Sequence, residues 1–556
     1  MNNEIEITLN NTKKITVPYK SSVYDIALNN SDVCSKKIVG AKINNEIVDF
    51  NKVITRSVNI DFFDINCIEG YKMNQSGLKF VLEVALKENF SDGIDVSYDH
   101  SIGNGIHTTI LNVDKFDEDD VKKLKQCMDE LIRQNIVIRK LNVESKELVN
   151  FFEKVNQVEK AKNIHNLSDN LLILYKLNNC FNYFYSEMPY STGFLNDFEL
   201  MYIDNKELSL TLPTNCTFSL VEYKNYNKVT DCFKLDNKML NIFKLPYVCD
   251  INDIVSMGRS RDLIRLFETR FDNKLHDVAI DVIEKGIKFL FIAGPSSSGK
   301  TTTAKKLALN LRTEGYETIL ISTDDYFVDY EKTPRKEDGT FDLESIDALD
   351  IDSFIKDMKD LADGKSVILP TYNFKKGKRE YGDTKTRFYN KGIIIVEGIH
   401  CLNDKLSKGI DDNLKYKIYL SPFISLKIDR HNYLSTTDLR LIRRIIRDNN
   451  NRGTSVAKTL ELWQSVREGE EENIFPFIEQ ANVIINTALP YELGVLKVFA
   501  EPLLYSVNND SPYLEEARRL IKYLQYIYPI PSEYVEEDSI IREFIGGSVF
   551  KREGDI

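Results

Sequence analysis

The stretch that most constrains this chain runs from Lys288 to Leu311 and reads KFLFIAGPSSSGKTTTAKKLALNL. Phe289 to Ala293 are continuously apolar, which predicts a strand buried on both faces, the kind parallel sheets use. Ala304, Leu307, Ala308 and Leu311 recur at helical spacing and predict a helix that lays one stripe on that sheet. Between them, Gly294 to Thr301 fits G-x-x-x-x-G-K-[ST]. Its glycines let backbone N–H groups curl around phosphate oxygens, Lys300 adds positive charge there, and Thr301 offers a hydroxyl to Mg²⁺. The candidate ATP-binding set is therefore Gly294, Pro295, Ser296, Ser297, Ser298, Gly299, Lys300, Thr301 and Thr302.

Past this unit, apolar runs alternate with helical patterns. KFLFIA, ETILIS, SVILP, GIIIVEG, YKIYL and NVIIN read as strands of a parallel sheet covered on both faces, so this part is α/β. Such sheets bind ligands at the carboxyl ends of their strands. Asp324 and Asp325 emerge there in ISTDDYF, and a carboxylate at Asp324 suits removal of a proton from an attacking hydroxyl. Glu397 leaves the strand in IIIVEGIH, well placed for the water shell of a metal. An Asp-Glu pair at such a strand end would point to attack by water, and N-K-x-D to guanine reading; the sequence has neither. Further on, STTDLRLIRRIIRDNNNRG puts Arg440, Arg443, Arg444 and Arg447 at i, i+3, i+4 and i+7. They share one helix face without matching acids, and beside a phosphate loop such a stripe reads as a lid that closes over phosphate.

With 556 residues the chain is too long for one core, and three or four folding units are expected. The net charge of −12 excludes wholesale nucleic-acid binding through a basic surface. No apolar run approaches the roughly 20 residues of a membrane helix. The opening MNNEIEITLN lacks the pattern of a secretion signal, and eight cysteines without a CxxC pair argue against a zinc ribbon or disulfide framework. A reducing cytoplasm is the expected compartment.

Residues 1–65 read as a small sheet with one helix: EIEITLN and KKITVPY as a hairpin, SSVYDIALNN as the helix, and KIVGAKINNEIVDF as two strands joined at Asn44-Asn45. This pattern resembles a TGS domain, the β-grasp module at the front of threonyl-tRNA synthetases. Residues 66–230 continue the resemblance, to the second, α+β domain of those synthetases, through SGLKFVLEVALKENF, the helix-strand-helix cadence of residues 116–152 and STGFLNDFELMYI. There the resemblance implies two histidines four apart, whereas this chain has Gln75 and Lys79, and neither Cys nor His precedes Thr192-Gly193. An amide and an ammonium do not replace imidazoles as zinc ligands, so this domain is expected to be a scaffold without editing chemistry. His107 in GIHTTI is read as structural. Residues 231–285 form a helical connector, read as two helices over 254–271 and 275–286. Residues 506–556 form a helix and a tail, REFIGGSVF, that packs back on a domain.

GPSSSGKTTTA, STDDYF, FDLESIDALD, LPTYNF, IVEGIH and DLRLIRRIIRD occur in the order, and at close to the spacing, of the uridine kinase and phosphoribulokinase group. Residues 286–505 resemble that family. The resemblance implies a P-loop kinase: Asp324 as general base, Asp342 or Asp347 at the ribose hydroxyls, Tyr372 and Phe374 flanking a nucleobase, Thr301 and Glu397 at Mg²⁺, and the arginine helix as lid. FDLESIDALD is two residues longer than the usual family motif, and KKGKR with Gly377 stands where the family has a pyrimidine-reading histidine. Lys375, Lys376, Lys378 and Arg379 could instead meet an acceptor that already carries phosphate, or form a plain exposed loop. The expected activity is transfer of the γ-phosphoryl of ATP to the 5′-hydroxyl of a nucleoside such as uridine or cytidine. The alternatives are a kinase of a phosphosugar or other small alcohol, and an ATP-switched regulator whose front domains engage RNA or a ribosomal partner. Family members are often oligomeric, so the resemblance also implies a homo-oligomer.

Overall fold

The structure, a computed structural model, describes residues 4–167, 170–214, 220, 226–335, 339, 341–342, 344–373 and 376–550. At the front, β1 (Glu4–Leu9) and β2 (Lys13–Pro18) pair across Asn10-Asn11, both at positive φ, which asparagine tolerates better than most residues. Helix α1 (Val23–Asn29), capped by Ser22, buries Val23, Ile26 and Ala27 with Ile7, Leu9, Ile60 and Phe62 of the sheet. Strands β3 (Gly40–Ile43) and β4 (Glu46–Ile47) turn at Asn44-Asn45, again both at positive φ. The sequence reading has no place for β5 (Asn59–Phe63), which returns parallel to β1 and completes the order β2-β1-β5-β3-β4.

The next unit begins with α2 (Ile68–Asn89), whose apolar face is the spine of a separate core. It continues through β6 (Asp95–Ile102), β7 (Gly105–Leu111), α3 (Glu118–Arg133), β8 (Arg139–Glu144), α4 (Ser145–Lys154) and α5 (Val158–His165). Strands β9 (Leu171–Leu177), β10 (Cys180–Asn182), β11 (Glu199–Asp204) and β12 (Glu207–Thr211) complete two antiparallel sheets, β11-β12-β7-β6 and β10-β9-β8. Lys79 lies buried, with its ammonium over the rings of Tyr98, Phe184 and Tyr433, and burial lowers its pKa to about 7. His107 stacks on His100, which stacks on Phe233 at 3.8 Å, and burial pulls both imidazoles below their ordinary range.

Three helices follow, α6 (Asn227–Phe243), α7 (Val248–Ser256) and α8 (Ser260–Glu284). The two-helix reading of the connector is corrected at two points. The break falls at Gly258, with φ of +73°, and α8 then runs uninterrupted through Asp272 and Asn273. Leu263, Phe267, Phe271, Leu275, Val278 and Val282 keep helical spacing across that stretch and are all buried, so nothing ends the helix there.

The last part contains β13 (Phe289–Ala293), α9 (Lys300–Thr313), β14 (Glu317–Ser322), α10 (Ile351–Ala362), the hairpin β15 (Pro370–Asn373) and β16 (Lys378–Tyr381), and β17 (Gly392–Glu397). After β18 (Lys415–Ser421) comes a short hairpin, β19 (Lys427–Asp429) and β20 (Asn432–Tyr433). Then follow α11 (Thr436–Arg452), α12 (Val456–Asn473), β21 (Val483–Asn486), α13 (Glu492–Tyr505), α14 (Leu514–Gln525) and α15 (Arg542–Ile545). Strands β14-β17-β13-β18-β21 form one sheet, parallel throughout, with β13 at its centre and wholly buried. Five of the six strands read from the sequence lie in it. SVILP does not: Val367 makes a single bridge to Thr386, and Pro370 opens the separate β15–β16 hairpin, where a strand's first residue needs no N–H.

The β19–β20 hairpin inserts into the front half. Arg430 pairs with Asp95 and Glu159, Lys427 with Asp99, and Tyr183 donates to Asp429 at 2.7 Å. His431 is fully buried there, with Nε2 on Asp95 at 2.9 Å and Nδ1 on both the Lys160 ammonium and the Asn182 amide. Glu83, Asp95 and His431 are close enough to share a cation, but the Lys160 ammonium at 2.8 Å from Nδ1 already supplies the positive charge.

Candidate functional site

The loop between β13 and α9 owes its shape to three local requirements. Ser297 and Gly299 sit at φ of +61° and +86°. A Cβ on Gly294 would lie 2.5 Å from the Leu420 carbonyl oxygen of the neighbouring strand, so only glycine fits. The loop carbonyls are also tied down. Lys300 Nζ donates to Gly294 O at 2.9 Å and Pro295 O at 3.2 Å, and Arg440 Nε to Ser296 O at 2.9 Å. Arg443 donates to Ser297 O at 3.3 Å, and the Thr487 hydroxyl to Ser298 O at 2.7 Å. Each carbonyl from Gly294 to Ser298 is thus held by a side-chain donor, which keeps it from turning toward an anion in the loop.

This changes the reading of the arginine stripe. Its members share one face of α11, as their spacing implies, but they do have matching acids, and Arg440, Arg443 and Arg444 are buried while Arg447 is half-buried. Arg440 forms a two-pronged pair with Glu470, and Arg443 pairs with Glu492 at 2.7 Å while also donating to Thr487 O. Arg444 pairs with Asp448, and Arg444 and Arg447 both reach the Ser296 hydroxyl, at 3.2 and 3.4 Å. Arg440 and Arg443 are 1% and 0% exposed. Asp448 lies on α11 itself, four residues past Arg444, whereas a helix wheel of α11 misses Glu470 and Glu492 because they come 30 and 49 residues after their partners.

Three carboxyls gather where the strands end. Asp324 follows β14, with its N–H held by the Ser322 hydroxyl, and Glu397 ends β17, with one oxygen 3.4 Å from Thr301 Oγ1. A Cβ on Gly398 would meet Thr323 Oγ1 at 1.8 Å, so the exits of the two strands are in close contact. Asp324 is exposed, yet the protein around it raises its carboxyl above the ordinary range, with Lys300 and Arg452 opposing. Burial pushes Glu397 up to about 7, helped by Asp324 and Glu543 and opposed by Lys300. Glu344 is pushed up to about 7 as well, by burial and by Glu470 and Asp324. Sequence reasoning missed Glu344, although it lies in FDLESIDALD two residues past Asp342 and within the part that departs from the family length. Perturbed carboxyls grouped around a lysine are a frequent mark of a reactive site.

The structure brings Lys300, Thr301, Asp324 and Glu397 together at the loop. The remaining predicted residues lie on the arm between α9 and β17. Tyr372 is buried, its N–H donates to Asp325 Oδ1 at 3.1 Å, and its ring meets Phe327 edge-on at 5.6 Å. Asp342 is held by its own N–H on Pro334 O, while the Asp347 side chain is exposed beyond the turn capped by Ser345. Phe374 lies outside the described residues. Arg379 grips Asp350 at 2.6 Å, at the N-cap of α10, and Lys376 pairs with Glu380, so these two cations of the hairpin already have acid partners. A cavity of about 530 Å³ opens between α2, the β6–β7 turn and α12. It touches the loop at Pro295 and Arg440 but is not lined by Lys300, Asp324 or Glu397.

Residues 289–491 match the model of the phosphoribulokinase / uridine kinase family. A uridine kinase from Staphylococcus aureus (strain JH9) is 33% identical over 202 residues, which is 36% of this chain and 88% of that protein. Among solved structures, a Bacillus stearothermophilus protein described as a "possible uridine kinase" aligns with 38% of this chain and 98% of its own, at 19% identity and a TM-score of 0.26. A D-glycerate 3-kinase from Cryptococcus neoformans aligns with 45% and 87%, at 13% identity and a TM-score of 0.20. Through its parallel-sheet part, the chain belongs to the phosphoribulokinase / uridine kinase family of phosphotransferases.

Proposed function

We propose that the chain is an ATP- and Mg²⁺-dependent nucleoside kinase that phosphorylates the 5′-hydroxyl of uridine or cytidine. One observation carries the reading: a carboxylate at the end of β14 stands beside the phosphate loop, with its pKa raised and Lys300 as counter-charge. That is the equipment for taking a proton from a hydroxyl as it attacks a terminal phosphoryl. Lys300 would stabilise the charge that builds up on the transferring phosphoryl. Arg440, Arg443, Arg444 and Arg447 act through the loop, whose carbonyls and serine they hold. Tyr372 and Phe374 would bound the base, Asp342 or Asp347 would take the ribose hydroxyls, and Arg379 would brace that arm through Asp350. The hydroxyl of Thr301 and the carboxylate of Glu397 form an all-oxygen pair that suits Mg²⁺, which would neutralise charge on the β- and γ-phosphates.

In front of the kinase, residues 1–65 are read as a TGS-like β-grasp domain, supported by the central parallel pair β1–β5 with one helix packed on it. Residues 66–230 are read as the synthetase-type second domain without metal ligands, supported by Gln75 and the buried Lys79. The discriminating experiment is ATP consumption with Mg²⁺ against nucleosides, nucleotides and phosphosugars, with Asp324→Asn alongside. One nucleoside should drive consumption and appear as its monophosphate, and Asp324→Asn should keep ATP affinity while losing at least about 100-fold in turnover. Unchanged turnover in Asp324→Asn would remove the base assignment, and consumption driven only by phosphosugars would move the acceptor to that class.

A further inference from the structure

The C-terminal tail, to which the activity above assigns no role, is folded onto the phosphate loop. Glu543 of α15 accepts two hydrogen bonds from Thr302, from its N–H at 3.3 Å and from its hydroxyl at 2.7 Å. Thr302 stands in the first turn of α9, where backbone N–H groups serve the inner phosphates of a bound nucleotide. Ile540 lies against the loop glycine itself, since a Cβ on Gly299 would come within 2.3 Å of Ile540 Cδ1. Asp538 pairs with Lys306 at 2.9 Å, one turn further along α9. Phe544 lies 4.9 Å from the Arg443 guanidinium, and its carbonyl accepts from Asn450. Ile540, Ile541 and Phe544 are all fully buried, so this is a packed plug.

A carboxylate resembles a phosphate edge in what matters here. It is anionic, accepts hydrogen bonds in a fork, and is favoured at a helix N-terminus by the helix dipole. One N–H cannot serve Glu543 and a phosphate oxygen together, and two anions so close repel each other. We propose that the C-terminal segment is an intramolecular competitor of the donor nucleotide: Glu543 takes the place of an inner phosphate on Thr302, and ATP binds by displacing it. This rests on the nucleotide-binding reading of the loop and adds its regulation; it does not depend on which acceptor is phosphorylated.

The test is calorimetric titration of the full-length protein with ATP and Mg²⁺, without acceptor, on wild type, Glu543→Ala, Glu543→Gln, Asp538→Asn and Lys300→Ala. Losing a charge-assisted anchor shifts the closed population, so Glu543→Ala should bind ATP about tenfold more tightly. Glu543→Gln should fall between it and wild type. Asp538→Asn, which touches only the outer anchor, should tighten binding by a few-fold. Hydrogen exchange over residues 536–550 should quicken when ATP is added to wild type. Affinities within twofold of wild type in both Glu543 variants and Asp538→Asn, or weaker binding, would overturn competition and leave the tail as a brace. Lys300→Ala separates the two levels: if wild type and Lys300→Ala alike fail to bind ATP, the loop reading itself fails, and with it the competition.

Discussion

The Arg443–Glu492 pair gives the sharpest separation between holding the kinase part together and shaping its loop. Arg443 is 0% exposed and Glu492 1%, and apart from Arg443 the carboxylate of Glu492 is held by the Leu489 N–H. Replacing Arg443 by methionine leaves a buried carboxylate with one donor, a class of change that costs about 3–5 kcal/mol. Burial already pushes Glu492 up, with Arg443 as the counterweight, so the carboxyl can relieve part of this by taking a proton. That favours the lower end, about 3 kcal/mol, or roughly 6–12 °C in the melting of a part of this size. The double variant Arg443→Met/Glu492→Leu swaps the pair for apolar groups of similar volume and should regain most of that stability. It should not regain the loop. Ser297 O and Thr487 O both lose the Arg443 donor, so ATP affinity should stay about tenfold or more below wild type. Melting curves with and without ATP, on wild type and the single and double variants, read both quantities. A single variant that costs under about 1 kcal/mol, or a double variant that binds ATP like wild type, would refute the argument.

Two further outcomes follow from buried ionisable groups. Glu344 and Glu397, both pushed up to about 7, are uncharged in mildly acid solution when their neighbours need them ionised, so kcat/KM should climb between about pH 6 and 8. Glu344→Gln should leave a shallower rise, and an unchanged profile would show that Glu344 does not titrate in that range. The sign for stability is opposite: a carboxyl held above its usual value keeps its proton longer when folded, so these two groups make the unliganded fold lose stability as pH rises from about 4.5 to 7. Lys79 tests the front half. With its pKa lowered to about 7, it costs stability while charged, and that cost disappears as pH rises from about 7 towards its ordinary value near 10. Lys79→Met should therefore stabilise the front half at pH 7 and flatten the rise between pH 7 and 10, as read from urea midpoints; a destabilised variant would mean that Asp429 and Glu83 more than compensate the buried ammonium.

What the sequence disclosed follows from how local each signal is. The loop, its strand and its helix are a contiguous pattern of glycines and apolar spacing, and they were legible. So were the carboxylates at strand ends, because the position of a residue in a parallel sheet follows from its strand. The strand β5 was not, since NIDFF alternates too briefly to stand out and gains its place only by pairing with β1 from across the unit. SVILP has strand composition, yet the sheet has no place for it, because composition measures fit to a pleated surface and says nothing about which one. The arginines show the limit most clearly. Their shared face is a property of one helix, whereas the ion pairs of Arg440 and Arg443 depend on α12 and α13, which only the folded chain brings near. Glu344 was hidden in a motif whose length had changed, so alignment by pattern drew attention to the aspartates on either side.

The same long-range logic ties the loop to the segments before and after it in the chain. Helix α11 carries the arginines that fix the loop, and two residues before the first of them Asp438 is held by Lys72 of the front half and by Arg519 of α14. Immediately upstream, the β19–β20 hairpin is set into the front half through Asp95, Asp99, Glu159 and Tyr183. Asp438, at 3% exposure and with its carboxyl drawn well below the usual range by Arg519 and Lys72, is therefore a fixed charge, and it anchors the N-terminal turn of α11. From the opposite end of the sequence, the tail reaches the same helix through Phe544 and Asn450. Front half, α14 and tail thus converge on one helix, and through its guanidiniums on the carbonyls of Ser296 and Ser297. A kinase domain joined to the rest by a flexible tether would need none of these contacts. Here the segments that surround the kinase in the sequence form part of the support of its phosphate loop.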